Sequence, residues 1–254
     1  LAPDYAEAYN NLGNALHDQG KFGKAIKAYK KAISIKPDYA EAYSNMGNAL
    51  QDQSKFEEAI NAYKKATSIR PDYAEAYYNM GICLREQGRL EEAVEAYKKA
   101  ALANPFFAET HNNMGNALQE QGNFGNAIEA FKKAISIKPD YAEAHNNMGI
   151  VYYKHGETEA AISAYQNAIN TNPNYAEAYY NIGICSTEQG NVDEAINAYK
   201  KATLIKPDYA EAHNNMGNAL HDKGKLEEAL SAYNNAIVIR PDYAEAYGNI
   251  GITL

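Results

Sequence analysis

The sequence predicts an all-α fold, a solenoid of antiparallel helix pairs, and three regularities predict it. All eight prolines, from Pro3 and Pro37 through Pro71, Pro105, Pro139, Pro173 and Pro207 to Pro241, stand 34 residues apart without an insertion. Glycines from Gly13 to Gly251 and alanines from Ala25 to Ala229 recur on the same lattice. All 22 tyrosines occupy only six places in it. A fixed period of this length marks one short supersecondary unit stacked many times.

Counting from Ala6, full repeats run 6–39, 40–73, 74–107, 108–141, 142–175, 176–209 and 210–243, with a partial repeat over 244–254. Residues 1–5 read as the tail of a preceding repeat, so the chain is expected to be a piece of a longer protein. In a stack each repeat contacts its neighbours and no central core forms, so 1–254 is expected to be a single array.

The repeat 40–73 shows why each unit is a helix pair. Ala42, Tyr43, Met46, Ala49 and Leu50 follow helical spacing, and Phe56, Ala59, Ile60, Tyr63, Ala66 and Ile69 do so again. Asp38, with Glu41 three places on, has the form of a capping box and is expected to cap the first helix. Gly20, Gly88, Gly122, Gly156, Gly190 and Gly224 are expected to close first helices in the left-handed conformation, a place that Ser54 fills at some loss of stability. The second helix must stop before Pro71, because the residue preceding proline is biased out of the helical region. Gly47, inside the first helix, costs about 1 kcal/mol against alanine. That points to close helix approach, with Ala59 and Ala66 as the expected facing residues. Every other linker has Asp or Asn after its proline, but one has Phe106. There Asn104 is expected to cap instead, starting the helix two residues early and exposing Phe106.

Tyr43, Met46-Gly47, Leu50, Ala59, Tyr63, Ala66 and Pro71, reiterated every 34 residues, resemble the tetratricopeptide repeat family along the whole chain. The resemblance implies a right-handed superhelix whose first helices line the concave side. His111, His145 and His213 depart from it by replacing the first aromatic residue, and they are expected to fill packing positions.

Residues of the first helix left over after packing fall at i, i+4, i+7 and i+11, one solvent stripe such as Glu41, Asn45, Asn48 and Asp52. Its most regular column is Asn11, Asn45, Asn79, Asn113, Asn147, Asn181, Asn215 and Asn249, one per repeat. A carboxamide offers an acceptor and two donors, so such a column can hold a peptide backbone whatever its sequence. Local bonding within the protein is the alternative. On the first reading these side chains face solvent, and alanine at Asn79, Asn113 and Asn147 should leave melting largely intact. Three places on, Asn14, Asn48, Asn116 and Asn218 alternate with Ile82, Ile150, Ile184 and Ile252. These isoleucines either receive ligand side chains or tuck between adjacent first helices. The column and the phrases PDYAEAYNNLGNAL and PDYAEAHNNMGNAL also resemble the repeats of O-linked N-acetylglucosamine transferases, a family that holds substrate polypeptide on such asparagines. The resemblance implies, as an alternative to a free scaffold, the substrate-recruiting arm of a protein glycosyltransferase. A self-assembling structural protein is the third possibility.

The net charge of −8 opposes attraction to nucleic acid or to an anionic membrane. On the solvent stripe 14 acids oppose only Arg85 and Lys154, so the expected partner is a neutral-to-basic extended protein or peptide segment. That sign also argues against the cationic clamp with which some members of the family hold an acidic C-terminal tail. No phosphate loop, nucleophile set or clustered Cys/His motif occurs, so no catalysis, cofactor or metal is expected. Cys83 and Cys185, three repeats apart, cannot pair and are expected to be buried small side chains. No run of 18 apolar residues occurs, Leu1–Asn10 has neither the basic start nor the apolar stretch of a signal peptide, and an intracellular setting is expected. Tyr247, Ile250 and Leu254 lack a covering second helix, which predicts head-to-tail self-association.

Overall fold

The computed structural model describes residues 5–254, which form fifteen α-helices. They are α1 (Ala6–Asp18), α2 (Phe22–Ile35), α3 (Ala40–Gln51), α4 (Phe56–Ile69), α5 (Ala74–Glu86), α6 (Leu90–Ala103), α7 (Ala108–Glu120), α8 (Phe124–Ile137), α9 (Ala142–Lys154), α10 (Thr158–Thr171), α11 (Ala176–Glu188), α12 (Val192–Ile205), α13 (Ala210–Asp222), α14 (Leu226–Ile239) and α15 (Ala244–Thr253). Odd-numbered helices open repeats and even-numbered helices close them. Of the expected tail over 1–5, all but Tyr5 lies outside the described residues. Two compact bodies result, one ending at Ile137 and holding α1–α8, the other running from Lys138 to Leu254 and holding α9–α15.

Within each body the stacking rule is the same. A first helix packs most extensively on its own second helix, and that second helix then packs on the next first helix. First helices also touch one another directly, α1 on α3, α3 on α5 and α5 on α7, then α9 on α11 and α13 on α15. Each body is thus an α-solenoid of helix pairs, with one face built from first helices.

One aromatic ring per repeat anchors the pair. Tyr29, Tyr63, Tyr97 and Phe131 in the first body, and Tyr165, Tyr199 and Tyr233 in the second, are buried among alanines such as Ala25, Ala59 and Ala66. Truncating a ring of this size costs about 3–5 kcal/mol. The mid-helix glycines face these rings and not the alanines expected from the sequence. A Cβ on Gly47 would stand 2.6 Å from Cε1 of Tyr63, and one on Gly183 would stand 2.4 Å from that of Tyr199. Glycine is required because the Cδ1–Cε1–Cζ edge of the ring occupies the space a Cβ would take.

The helix ends both match and correct the sequence expectations. Gly20, Gly88, Gly122, Gly156, Gly190 and Gly224 have φ between 69° and 82°, and Ser54 adopts the same region at 58°. At the N-termini the capping box does not form. Tyr39, not Asp38, is the residue before α3, and it makes no side-chain cap bond. A turn takes Asp38 instead, in which the Tyr39 N–H donates to the Lys36 carbonyl at 3.2 Å, with Pro37 in the position that favours its fixed φ. The early start expected at Asn104 is likewise overturned, for α7 begins at Ala108 after Phe107. Asn104 closes its own turn, its Oδ1 accepting the Phe106 N–H at 3.2 Å, which leaves it unable to cap. Phe106 is nonetheless 83% exposed, as expected.

Candidate functional site

Asn11 is exposed, and the remaining asparagines of the column, from Asn45 to Asn249, are half-buried on the first-helix face. Burial comes from neighbouring first helices, and so do their hydrogen bonds. Asn45 Nδ2 donates to Oδ1 of Asn10 and of Asn14, both at 3.1 Å. Asn79 Nδ2 donates to Asn48 Oδ1 at 3.0 Å, and Asn113 Nδ2 to the Tyr78 hydroxyl at 3.0 Å. The second body repeats the arrangement. Asn181 Nδ2 donates to Asn146 Oδ1 at 3.0 Å, Asn215 Nδ2 to the Tyr180 hydroxyl at 3.2 Å, and Asn249 Nδ2 to Oδ1 of Asn214 and Asn218 at 3.1 and 2.9 Å. Every one of these bonds reaches 31 or 35 residues back, from one first helix to the preceding one. The expectation that these side chains are free in solvent is therefore corrected for Asn45, Asn79, Asn113, Asn181, Asn215 and Asn249, whose amide nitrogens help to join adjacent repeats within a body, whereas Asn11 is exposed as expected.

The second column supplies three of the acceptors. Asn14, Asn48 and Asn218 each receive the hydroxyl of their own repeat's buried tyrosine, Tyr29, Tyr63 and Tyr233, at 2.8–2.9 Å. One Oδ1 thus receives the second helix from one side and the next repeat from the other. Asn116 lacks that hydroxyl because Phe131 takes the tyrosine place. Where isoleucine replaces asparagine the wall is apolar, and Ile150 and Ile184 tuck inward while Ile252 is exposed. Ile150 packs on the cluster holding Ile182 and Cys185, and Ile184 on that holding Tyr199 and Ala219.

Sequence reasoning passed over the residue before each column asparagine. Asn112, Asn146 and Asn214 are at most 4% exposed there, while Tyr78 and Tyr180 are half-buried and meet the rings of Phe107 and Tyr209 in tilted contacts at 4.7 and 4.9 Å between ring centroids. A polar residue recurring on a buried flank of a helix was the available signal.

The acids of the face are partly neutralised. Glu41 pairs with Arg70 at 3.5 Å, Glu177 with Lys206 at 3.4 Å, and Glu211 with Arg240. Asp52 receives His17 Nε2 at 2.7 Å and Glu120 receives Arg85 at 2.6 Å, both from the preceding first helix. Burial works against the charge of Glu211, but the Arg240 hydrogen bond and the cations around it leave its carboxyl below the ordinary value. Other acids keep their field, among them Glu75 and Glu86, which have no ion-pair partner among the described residues.

Cys83 and Cys185 are fully buried, and burial pushes their thiols up to about 12 and about 11, so both stay protonated. Among the described residues no group of three His, Cys, Asp or Glu side chains is placed to hold a metal ion. No helix among them is long and apolar enough to cross a membrane.

The TPR repeat model matches residues 13–54, 83–122, 115–156, 187–224 and 217–254, and tetratricopeptide repeat models match 38–101, 142–175 and 164–197. No curated protein matches the chain. Among solved structures, a C-terminal part of a TPR repeat-containing protein from Cytophaga hutchinsonii aligns over 94% of this chain and 98% of its own, with TM-score 0.75 and 17% identity. YrrB, described as a TPR protein with an unusual peptide-binding site, aligns over 74% and 97% with TM-score 0.58 and 28% identity. The Cut9-Hcn1 hetero-tetramer of APC/C aligns over all of this chain with TM-score 0.68 and 19% identity, and this chain spans 50% of that one. The 34-residue lattice, the paired helices and the family models agree, and the chain belongs to the tetratricopeptide repeat family.

Proposed function

We propose that this is a noncatalytic interaction scaffold whose first-helix face holds an extended, neutral-to-basic polypeptide segment, gripped through its backbone by the asparagine column. The observation that carries the proposal is the orientation of the carboxamides. The amide nitrogens of Asn45, Asn79, Asn113, Asn181, Asn215 and Asn249 donate to the preceding repeat, which holds these side chains in place and directs the role of acceptor to Oδ1. Preorganised acceptors of this kind take a backbone N–H without ordering a side chain first, and each exchange with water is worth about 0.5–1.5 kcal/mol.

The spacing suits one peptide conformation. Packed helices lie about 8–10 Å apart, and a polyproline II chain has three residues per turn at about 3.1 Å each, close to 9 Å. Every third N–H of such a segment returns to the same side and meets the next asparagine. The unpaired acids of the face, such as Glu75 and Glu86, favour Lys or Arg among the side chains between. YrrB, which resembles this chain and is described as having a peptide-binding site, supports the same class of function. The substrate-recruiting arm of a protein glycosyltransferase is a second reading, supported by the asparagine column and the PDYAEAHNNMGNAL phrase.

Calorimetric titration with unstructured basic, neutral and acidic peptides tests the proposal. Binding should follow that order and fall when Asn79 and Asn113 are both replaced by Ala. Tyr78→Phe removes a lateral partner but keeps both column carboxamides, so it should lower stability by a similar amount per bond and spare most of the affinity. Equal loss of binding in the two variants would assign the column a structural role alone.

A further inference from the structure

The opposite face of the first body carries a furrow between second helices α6 and α8, floored by α7. It consists of two adjoining hollows of about 610 and 440 Å³ that share Lys98, His111, Met114 and Lys133. One end is bordered by Glu91 and Glu129, and the other, almost entirely apolar, by Leu102 and Pro105. Leu102 is 82% exposed and Phe106, next after Pro105, is 83% exposed. Large side chains held open to water beside a hollow mark a contact surface more than they mark a fold requirement. The fold makes no such demand here, for Ser34, Ser68 and Ser136 occupy the Leu102 place in other repeats; Leu204 and Val238 are exposed at that place too, but only this repeat adds an aromatic ring, Phe106, where Asp38, Asp72, Asp140, Asn174, Asp208 and Asp242 stand elsewhere.

His111 provides an internal comparison. His145 and His213, at the same place in later repeats, each bring Nε2 to the carbonyl of the linker proline, Pro139 and Pro207, at 3.1 Å. His111 is only 9% exposed and faces both hollows, yet it makes no corresponding bond to Pro105 among the described residues. A similar furrow of about 430 Å³ between α12 and α14 has neither His213 nor an apolar end of this kind in its lining. Burial, and then the charge of Lys133, hold the imidazole of His111 below its ordinary value, so near neutral pH it offers an N–H without a charge of its own.

We propose that this furrow docks a second class of partner, a protein segment in which aliphatic or aromatic side chains lie next to carboxylates. The apolar side chains would enter between Leu102, Pro105 and Met114, and the carboxylates would meet Lys98, Lys133 and the His111 N–H. The Glu91 and Glu129 end fixes direction, because it repels a second acidic group there. This preference is the reverse of that proposed for the first-helix face and depends on none of its residues.

Two fluorescein-labelled peptides of equal length test it by anisotropy with the full chain, one alternating Leu-Phe with Asp-Glu and the other carrying Lys in place of the acids. The acidic peptide should bind in preference. Leu102→Ser with Phe106→Asp, and separately Lys98→Glu with Lys133→Glu, should each weaken it roughly tenfold. All four side chains are exposed and these changes leave the fold intact, which circular dichroism verifies. In the unaltered chain, titration should shift the ring resonances of His111 and leave those of His145 and His213 in place. Asn79→Ala with Asn113→Ala should leave this affinity unchanged. Failure of the acidic peptide to bind, equal binding of the basic peptide, insensitivity to both double substitutions, or an unmoved His111 would overturn the proposal.

Discussion

Tyr63 and Tyr97 fill the same place in adjacent repeats, and loss of the hydroxyl is expected to affect them in opposite directions. Both are fully buried. The Tyr63 hydroxyl donates to Asn48 Oδ1 at 2.8 Å with Gln51 Oε1 at 3.0 Å. In the next repeat those two places hold Ile82 and Arg85, and the Tyr97 hydroxyl has no hydrogen-bond partner. A satisfied buried hydrogen bond is worth about 0.5–1.5 kcal/mol, whereas an unsatisfied buried polar group costs about 1–3 kcal/mol. Tyr63→Phe should therefore destabilise by about 1 kcal/mol and Tyr97→Phe should stabilise by a similar amount, a gap of about 2 kcal/mol. The fourth repeat already carries Phe131 at this position. Urea denaturation gives the global values, and amide exchange along α3–α6 gives the local ones, since stability in a stack is distributed among repeats. Equal destabilisation by the two changes would refute the assignment of these hydroxyls.

Three further outcomes follow from the same geometry. Gly47→Ala gains about 1 kcal/mol of helix propensity but drives a methyl into the Tyr63 ring, and overpacking of about 1–3 kcal/mol should leave the protein net destabilised in urea. Ser54→Gly relieves a left-handed residue and should raise the urea midpoint, by roughly 0.5–1 kcal/mol of stability. Burial raises the phenols of Tyr29, Tyr175 and Tyr199 from 10.0 to about 12, so the folded state retains protons that the unfolded state releases. Their contribution is complete below pH 10 and is lost as the pH rises from 10 towards 12, so ultraviolet titration should show late tyrosine ionisation accompanied by loss of helix. Titration of all the tyrosines near pH 10 with helix retained would contradict this.

The fold was legible because its determinants are periodic and local. Proline and glycine punctuation, helical spacing and left-handed glycines each act within a few residues, and the lattice repeats the evidence. The site was legible in position and much less so in chemistry. Asn45 and its equivalents stand out as a column, but their partners lie 31 or 35 residues away and depend on side-chain direction across a helix contact. A shorter separation, across the helix pair, hid the role of Gly47, whose reason is the Tyr63 ring 16 residues on in the second helix. Asp38 and Asn104 were misread for a different reason. Both residue types serve turns as well as caps, and a proline one place before or after settles the competition in favour of the turn. The pairing of Asn14, Asn48 and Asn218 with a tyrosine fifteen residues later, absent where Ile82 stands, is a pattern the sequence does contain.

The central claim is that the column accepts backbone N–H groups at three-residue intervals. The measurement that tests it most directly is an N-methyl scan along a bound basic peptide, each backbone N–H being replaced in turn and the affinity measured by calorimetry. The account predicts losses of about 0.5–1.5 kcal/mol recurring at every third residue, with the positions between them tolerant of methylation. Losses with a period of two, or no periodicity at all, would contradict it.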